Sequence, residues 1–431
     1  MKKPFTVEIE KMVYGGRGMG RVNGKVVFVP FTAPGDQVQL EVLREKRDYI
    51  EAVIKTIEQN SPWRVKPFCD LFGKCGGCHY QHLPYLEQLK LKGEILEESL
   101  RPLTKEGGWA RMPVFPSPGD RGYRIRAQLQ GGWSDGQEVL GFYGWKTRCL
   151  VEVRECPLLH PLANKIFQAL RRWMDRKREI FVQKAEIQVS PDEEKGVIRL
   201  KVEGRCNLQM AARFGGEFPV LKGVIIEGRE KISWGDSILS YHWPKILGKE
   251  PLHIRASYDS FSQVNPDQNW NLMKVVVEWA ELTGQEKVVD LYCGSGNLTL
   301  PLAQRAMKVW GVDRDRRAIE MAGENARENK LDNCAFIAAG AEAGIKRIMK
   351  EAGSVECIVL DPPRAGAKKE VLNALTLLCP QKIFYVSCEP PTLIRDLVRL
   401  QELGYNVNRI QPLDMFPQTY HVEVIAELIK K

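Results

Sequence analysis

Long apolar runs are missing from this 431-residue sequence, and so are internal repeats and low-complexity segments. No stretch is long enough to span a membrane, and the first residues reach the charged positions Glu8, Glu10 and Lys11 before any apolar signal core. The sequence therefore argues against a membrane helix, a secretory leader and a repeat architecture. We expect a protein of the cytoplasm that has no membrane partner.

A large excess of one charge is also missing. Lysine and arginine together number 63 against 54 aspartates and glutamates, which leaves a formal charge of +9. A modest basic excess suits a polyanionic partner such as RNA, but many ordinary enzymes are equally basic. The charge balance alone therefore selects no partner.

A disulfide scaffold is not expected, because the 11 cysteines are odd in number and no secretory leader is expected. Clustered cysteines are better interpreted as metal ligands or nucleophiles. Three of them stand in one short segment, Cys69-x5-Cys75-Gly76-Gly77-Cys78, and Cys156 is the best candidate for a fourth ligand. Four thiolates suit either zinc or a [4Fe–4S] cluster, and the spacing does not separate the two.

The length favours two or three domains, and an apolar fraction of 44% is enough to build real cores. Residues 1–58 alternate apolar and polar positions between glycine- and proline-marked turns, which predicts a small β-barrel. Residues 59–262 hold the cysteine segment and mixed strand and helix patterns, which predicts an α+β middle domain. Residues 263–431 form the third predicted domain.

The third domain alternates strand-like and helical patterns. Asn265-Pro266 marks a helix start. Short apolar runs follow at Val288–Leu291, Val309–Asp313, Ala335–Ala338, Cys357–Asp361 and Ile383–Ser387. This βαβα pattern predicts a Rossmann-like parallel sheet covered by helices, whose ligands bind at the carboxyl ends of the strands.

A glycine-containing loop, Tyr292-Cys293-Gly294-Ser295-Gly296-Asn297, follows the first of these strands. Gly294 and Gly296 permit a sharp strand-to-helix turn and let a ligand approach the backbone. Asp313 closes the next strand, where a carboxylate can accept hydrogen bonds from ribose hydroxyls. A dinucleotide would favour a third glycine at the position of Thr299. S-adenosylmethionine is therefore the preferred ligand, and a dinucleotide-dependent oxidoreductase is the alternative.

Reactive groups also stand at three later strand ends: Asp361-Pro362-Pro363-Arg364, Ser387-Cys388-Glu389-Pro390-Pro391 and His421-Val422-Glu423. By the strand-end rule, all three should lie beside the glycine loop. In an arbitrary protein, Cys388 would be a small buried apolar residue and Glu423 an exposed strand residue. Spacing alone does not overturn that interpretation.

The sequence motifs resemble those of the RNA uridine-C5 methyltransferase family, and the resemblance extends over almost the whole chain. The family's nucleophile motif is similar to Ser387-Cys388-Glu389-Pro390-Pro391-Thr392-Leu393-Ile394-Arg395-Asp396-Leu397, and its terminal motif to Phe416-Pro417-Gln418-Thr419-Tyr420-His421-Val422-Glu423. The family segment whose glutamine contacts the cofactor is similar to Phe261-Ser262-Gln263-Val264-Asn265. The N-terminal region resembles the oligonucleotide-binding TRAM barrel. Together these motifs are highly specific.

The resemblance implies methyl transfer from S-adenosylmethionine to carbon 5 of a uridine in RNA, which gives 5-methyluridine. Cys388 would be the nucleophile that adds to C6, and Glu423 the base that removes the C5 proton. The implied cofactor-binding residues, with the two loop glycines, are Gln263, Tyr292, Gly294, Gly296, Asn297, Asp313 and Asp361. A [4Fe–4S] cluster is implied on Cys69, Cys75, Cys78 and Cys156.

RNA is the implied partner, and we expect a monomer. Within the family, 23S ribosomal RNA is favoured because barrel and cluster occur together most often in ribosomal members, while a uridine of the tRNA T-loop stays open. Candidates for phosphate contacts in the barrel are Lys11, Arg17, Arg21, Lys46 and Arg47. Arg124 and Arg126 alternate on one predicted strand and are interpreted either as RNA contacts or as a surface ladder.

Two positions depart from the family: the strand end on the adenine side, usually polar, reads Ala339-Gly340-Ala341, and one residue of the nucleophile motif differs. Glu389 stands where the family has asparagine, directly after Cys388, and a negative charge pointing inward would disfavour the thiolate. We expect Glu389 to point away or to pair with a basic residue. The remaining alternative is a non-catalytic iron–sulfur module that binds RNA, in which Cys388 and Glu423 would be replaceable.

Overall fold

The structure is a computed structural model that describes residues 5–106, 110–134, 136–176, 180–260 and 262–431. Three segments of the chain build three principal sheets. The first contains strands β1 Phe5–Glu8, β2 Lys11–Val13, β3 Arg17–Val22, β4 Lys25–Pro30, β5 Gln37–Glu45 and β6 Tyr49–Gln59.

The N-terminal sheet has the strand order β1-β5-β6-β4-β3-β2. Its alternating apolar residues face inward and form a small core around Val27, Val29 and Leu40, all at most 1% exposed. The sheet curls so tightly that β3 approaches β1. At Gly20, a Cβ would lie only 2.3 Å from the Glu8 carbonyl oxygen, so glycine is required there.

The middle segment forms a seven-stranded sheet of order β10-β9-β8-β11-β12-β13-β14 and a separate hairpin, β15-β16. Helix α2 packs its apolar face, including Phe167 and Trp173, into the main core of this sheet. The elements are α1 Tyr85–Leu100, a 3-10 turn Arg101–Glu106, β7 Ala110–Arg111, β8 Arg126–Ser134, β9 Gln137–Tyr143, β10 Leu150–Glu152, α2 Pro161–Arg176, β11 Ile180–Ser190, β12 Lys195–Gly204, α3 Leu208–Glu217, β13 Leu221–Glu227, β14 Lys231–Gly235, β15 Ile238–Trp243 and β16 Leu252–Ser257.

The C-terminal segment contains the predicted α/β sheet, with strand order β19-β18-β17-β20-β21-β23-β22-β7. The first five strands in this order are parallel and correspond to the five apolar runs of the sequence. The elements are α4 Pro266–Ala280, β17 Lys287–Leu291, α5 Thr299–Ala303, β18 Lys308–Asp313, α6 Arg316–Glu328, β19 Cys334–Ala338, α7 Ala341–Ala352, β20 Cys357–Leu360, α8 Lys369–Leu375, a 3-10 turn Thr376–Leu378, β21 Lys382–Ser387, α9 Pro390–Glu402, β22 Tyr405–Leu413 and β23 Glu423–Lys430. None of the helices in the described ranges is both long and apolar enough to cross a membrane.

The segments are interleaved. Strand β7, from the middle segment, joins the far edge of the C-terminal sheet beside β22. The hairpin β15-β16 packs on both sides, because Leu239 and Tyr241 join the middle core while Leu252 and Ile254 contact the helices of the C-terminal sheet. Helix α1 also lies against the C-terminal sheet, through Leu96.

Side chains of helix α1 bind the loop between β22 and β23, which contains the terminal motif. The Lys92 Nζ lies 2.6 Å from an Asp414 carboxylate oxygen, and both side chains are fully buried. One turn earlier, Gln88 exchanges two hydrogen bonds with Gln418, of 2.9 and 3.0 Å. Gln418 has a φ of 68°, a left-handed conformation that this pairing holds in place.

Replacing Lys92 by methionine should strongly lower the midpoint of thermal unfolding, because Asp414 would remain as a buried charge without its partner. Removing one member of such a pair costs about 3–5 kcal/mol. Circular dichroism during heating measures the effect, and the double replacement Lys92→Met with Asp414→Leu should recover much of it.

The control is Lys346→Met, which breaks an exposed pair on α7 in which Lys346 and Glu342 are 2.6 Å apart. That replacement should cost about 0.5 kcal/mol or less. If Lys92→Met melts no earlier than the control, the buried pair does not hold the loop.

Candidate active site

Three parallel strands end side by side at the site. Residue Leu291 of β17 pairs with Leu360 of β20, and Leu360 pairs with Tyr385 of β21. The glycine loop, Asp361 and Cys388 directly follow these strands, so all three open at the same edge of the sheet, as the strand-end rule requires.

The glycine loop curls around the end of β17. The Gly294 N–H donates to the Asp313 carboxylate over 3.1 Å, which ties the loop to the end of β18. Gly294 and Gly296 have φ angles of 54° and 100°. A Cβ at Gly294 would meet no protein atom within 4 Å, so the backbone there faces open space that a ligand can fill.

Other polar residues near the loop support it from behind. The Asn297 amide exchanges two hydrogen bonds with Asn269 of α4, of 2.8 and 3.0 Å. The Thr299 hydroxyl donates to Asp290 over 2.6 Å. Burial raises the pKa of Asp290 to about 7. Its hydrogen bond with Thr299, the first residue of α5, connects the end of β17 to the start of that helix.

The remaining cofactor candidates lie around the loop. Tyr292 is half-buried and has a left-handed φ of 64°. Gln263 is also half-buried and stands two residues before Asn265, whose side chain accepts a 3.2 Å hydrogen bond from the Gln268 N–H and caps α4. Phe261, the first residue of the same motif, lies outside the described residues.

Cys388 and Glu423 meet through the strand register. Ser387, the last residue of β21, pairs with Val424 in antiparallel β23, so the next step along both strands sets Cys388 opposite Glu423. Glu423 is only 3% exposed and Cys388 is half-buried. Burial, followed by the nearby Glu423 carboxylate, raises the pKa of the Cys388 thiol to about 12.

Acidic groups crowd this pocket. Burial and the neighbouring Asp361 raise the pKa of Glu423 well above its ordinary value, and burial raises the pKa of Asp361 to about 7. Arg364, an exposed residue, acts in the opposite direction, because its charge lowers the pKa of both Cys388 and Glu423. Arg364 is thus the guanidinium that favours the ionised form of both groups.

Glu389 pairs with a tyrosine instead of the basic residue that the sequence suggested. Its carboxylate accepts a hydrogen bond from the Tyr14 hydroxyl, which belongs to the turn between β2 and β3. The side chain points toward the N-terminal barrel, and the expectation of an outward orientation agrees with this contact. The partner lies 375 positions away in the sequence, with no local pattern to announce it.

The four predicted ligand cysteines, Cys69, Cys75, Cys78 and Cys156, line one cavity of about 290 Å³. Burial raises the pKa of Cys78 to about 12 and also raises those of Cys75 and Cys156. Arg124 and Arg126 line the same cavity, so they do not form a surface ladder. Across the described ranges, no three histidine, cysteine or acidic side chains converge as ligands of a single metal ion.

Comparison with known proteins identifies the family. A sequence profile for tRNA (uracil-5-)-methyltransferase matches residues 244–431, and one for the TRAM domain of tRNA (uracil(54)-C(5))-methyltransferase matches residues 5–62. An uncharacterized RNA methyltransferase from Aquifex aeolicus is 34% identical, over 99% of this chain and 98% of its own length. The chain belongs to the RNA (uracil-5-)-methyltransferase family.

Further relatives agree with this placement. An uncharacterized RNA methyltransferase from Thermosynechococcus vestitus is 33% identical over 98% of this chain and 97% of its own length. The crystal structure of Pyrococcus abyssi tRNA (uracil-54, C5)-methyltransferase, in complex with S-adenosyl-L-homocysteine, superposes with a TM-score of 0.75 at 26% identity. It covers 98% of this chain and 100% of its own. The predicted enzyme class, the TRAM barrel and the C-terminal methyltransferase fold are confirmed, which decides against an oxidoreductase.

Several residues of the methyltransferase pocket were not singled out from the sequence. Lys92 and Gln88, which hold the β22–β23 loop, lie on an ordinary amphipathic helix that gives no local indication of their partners. Tyr14 stands beside Gly15-Gly16 in a turn signal that predicts chain reversal and nothing more. Arg364 was visible within its motif, but its electrostatic role depends on the fold.

Proposed function

We propose that this methyltransferase uses S-adenosylmethionine to methylate carbon 5 of a uridine through a covalent adduct on Cys388. The observation that supports it most is the register of β21 and β23, which sets a half-buried thiol opposite a buried carboxyl. Asp361 and the glycine loop border the same pair. A nucleophile, a base and a methyl-donor pocket are the parts that this reaction needs.

The donor pocket that we propose lies at the glycine loop. The open backbone at Gly294 leaves room for a ligand, and Asp313 has carboxylate lone pairs free to accept ribose hydroxyls beyond its bonds to Gly294 and Asp315. Candidates for the other contacts are Gln263, Tyr292, Gly296, Asn297 and Asp361. When bound, S-adenosylmethionine supplies an electrophilic methyl group on a sulfonium.

In the first step, the Cys388 sulfur forms a bond to C6 of the uracil. The π electrons of the C5–C6 bond then enter an enolate, which makes C5 nucleophilic toward the methyl group. The thiol must first release its proton to solvent, which reaches the half-buried Cys388 side chain. Burial raises the pKa of this thiol to about 12, which favours the protonated form before RNA binds. Arg364 favours the thiolate, so we propose that it activates Cys388 as RNA closes the pocket.

In the second step, Glu423 removes the remaining C5 proton. The electrons of that C–H bond restore the C5–C6 double bond and expel the Cys388 thiolate. A carboxylate whose pKa is raised by burial is a stronger base than an exposed one, which suits proton transfer from carbon. The product is 5-methyluridine, and the cysteine is free again.

The four-cysteine cavity fits a [4Fe–4S] cluster, and we propose that it holds one. Cys69, Cys75, Cys78 and Cys156 would be the four thiolate ligands, because all four line the same cavity of about 290 Å³. Four thiolates also suit zinc, and the family resemblance is the reason for proposing the cluster. Arg124, whose charge lowers the pKa of Cys75 and Cys156, would offset the negative charge of the cluster.

For the RNA, we propose 23S ribosomal RNA, on the family resemblance of a chain that combines barrel and cluster cysteines. A tRNA uridine is the second candidate, favoured by the full-length likeness to the P. abyssi tRNA enzyme. Several barrel candidates for phosphate contacts already have acidic neighbours, such as Lys11 with Glu98 at 2.7 Å and Arg21 with Glu10 at 3.8 Å. Exposed pairs of this kind are weak, so a phosphate can replace the carboxylate.

The two catalytic roles should separate by mutation. Cys388→Ala should form neither adduct nor 5-methyluridine. In Glu423→Gln, Cys388 should still add to C6 and C5 should still take the methyl group. The amide cannot accept the C5 proton, so turnover should fall about 10²- to 10⁴-fold. Denaturing gels should then show a retarded enzyme band that requires both RNA and S-adenosylmethionine.

Glu427→Gln is the matched control for that test, because Glu427 is a buried carboxylate on the same strand that pairs with Arg409 at 2.6 Å, outside the proposed site. When activity is expressed per amount of folded protein, the Glu427→Gln enzyme should turn over at the normal rate and should not accumulate a covalent adduct with RNA. A Glu423→Gln enzyme that turns over at the normal rate, or that binds both substrates without an adduct, would refute the role of Glu423.

For the cluster, anaerobically purified protein should be brown and carry about four iron and four sulfide per chain. Cys156→Ser should lose the iron and the visible absorption, whereas Cys149→Ser, at an exposed cysteine outside the cavity, should keep both. Colourless protein with one zinc per chain would reject the cluster and retain the four-thiol site.

For the substrate, mass mapping of RNA from cells that lack the gene should show loss of 5-methyluridine from 23S rRNA and normal tRNA. Purified enzyme should restore the modification on the unmodified rRNA in vitro. Loss confined to tRNA would overturn the ribosomal assignment and favour the second candidate.

A further inference from the structure

The turn between β2 and β3 of the barrel reaches into the catalytic pocket. Gly15 and Gly16 both have left-handed φ angles, of 93° and 75°, which make the turn tight enough to enter. A Cβ at Gly16 would lie 3.0 Å from the Tyr420 ring and 3.1 Å from His79. The Tyr14 ring meets the Tyr420 ring edge to face, with centroids 5.5 Å apart.

At the tip of this turn, the Tyr14 hydroxyl donates a hydrogen bond to the Glu389 carboxylate. Glu389 is the residue before α9, a position where an acidic side chain is well placed to interact with the positive end of the helix. Its side chain makes no capping hydrogen bond to α9. The carboxylate is therefore directed toward the barrel, away from its own helix.

The direction of Glu389 matters because its neighbour in the chain is Cys388. The charged groups that influence the Cys388 sulfur are Glu423 on β23, Arg364 and Asp361 after β20, and Glu389 itself. Around Glu389, the titratable groups are Tyr14 and Tyr420, and Arg364 influences both tyrosines. Glu389 is the weakest of the three carboxylate influences on the thiol, although it is adjacent in sequence.

We propose that Tyr14 is a positioning residue of the catalytic pocket, which holds the Glu389 carboxylate toward the barrel and away from the Cys388 sulfur. Tyr14 does not touch the reacting atoms and acts through Glu389. The catalytic meaning of this arrangement rests on the proposed role of Cys388 as the nucleophile. A residue of the RNA-binding domain thereby controls the reactivity of a thiol in the methyltransferase domain.

Loss of the Tyr14 hydroxyl should make the thiol less reactive. In Tyr14→Phe the ring remains to pack on Tyr420, but the Glu389 carboxylate is released and can turn toward Cys388. A closer negative charge disfavours the thiolate. In Glu389→Gln the charge is absent, so the thiol should become more reactive, and the Tyr14 hydroxyl should no longer matter.

The test is the pH dependence of Cys388 alkylation in the full-length protein. Iodoacetamide modification is followed by peptide mass spectrometry from pH 6 to 10, with the exposed Cys149 as an internal reference for the reagent. The variants are Tyr14→Phe, Glu389→Gln and the double replacement. Tyr49→Phe is the matched control, because Tyr49 is a half-buried barrel tyrosine whose ring packs against Phe28 and not against the site.

Alkylation of Cys388 in Tyr14→Phe should be about three- to tenfold slower at pH 8, which corresponds to a profile moved upward by about 0.5–1 pH unit. Glu389→Gln should be faster than the unaltered protein, and the double variant should match Glu389→Gln. Tyr49→Phe should match the unaltered protein. Thermal unfolding confirms that each variant is folded.

An unchanged profile in Tyr14→Phe would overturn the proposal, since the carboxylate would then have turned to its own helix or kept its place. An equal slowing by Tyr14→Phe in the Glu389→Gln background would also overturn it, because the effect would not pass through Glu389. Failure of the nucleophile assignment is a separate result. In that case Cys388→Ala would still make 5-methyluridine, while the alkylation profiles would keep their expected order.

Discussion

The buried pair of Lys92 and Asp414 is the constraint on which the active site depends. Two full charges without access to water are costly to separate, because either one alone would keep a large desolvation penalty. The pair joins helix α1 to the start of the loop that ends at Glu423, across 322 positions of sequence. With the hydrogen bonds between Gln88 and Gln418 beside it, the pair fixes the path of that loop, including the left-handed φ of 68° at Gln418.

The pKa values of the groups in the pocket depend on opposing charges, with carboxyls on one side and the exposed Arg364 guanidinium on the other. The Asp361 carboxylate raises the pKa of Glu423, and both carboxylates raise the pKa of the Cys388 thiol. The exposed Arg364 guanidinium acts against them, because its charge lowers the pKa of both Glu423 and Cys388. The raised pKa values of the Cys388 thiol and the Glu423 carboxyl suit the proposed mechanism, in which the two groups react only when RNA is bound.

Much of the fold could be predicted because it repeats a local pattern. The apolar runs at residues 288–291, 309–313, 335–338, 357–361 and 383–387 each became a parallel strand, with bounds moved by at most one residue. The helix start at Asn265 was readable from a cap and a proline. The antiparallel arrangement of β23 between β21 and β22, and the edge strand β7, were not predicted, since β7 is two residues long and pairs only because a distant segment lies beside it.

By itself, the sequence determined the succession of strands that end at the site and the glycine loop between them, because these depend on period and short motifs. It also singled out Cys388, Glu423 and the clustered cysteines as candidate site residues, through motifs that resemble those of the family. Tertiary structure alone decided that Glu389 binds Tyr14, that Lys92 meets Asp414, and that Arg124 and Arg126 face the cysteine cavity. Each of those contacts joins segments far apart in the chain. Local propensity and periodicity contain no information on such partners, because burial and charge pairing are settled only when the segments pack together.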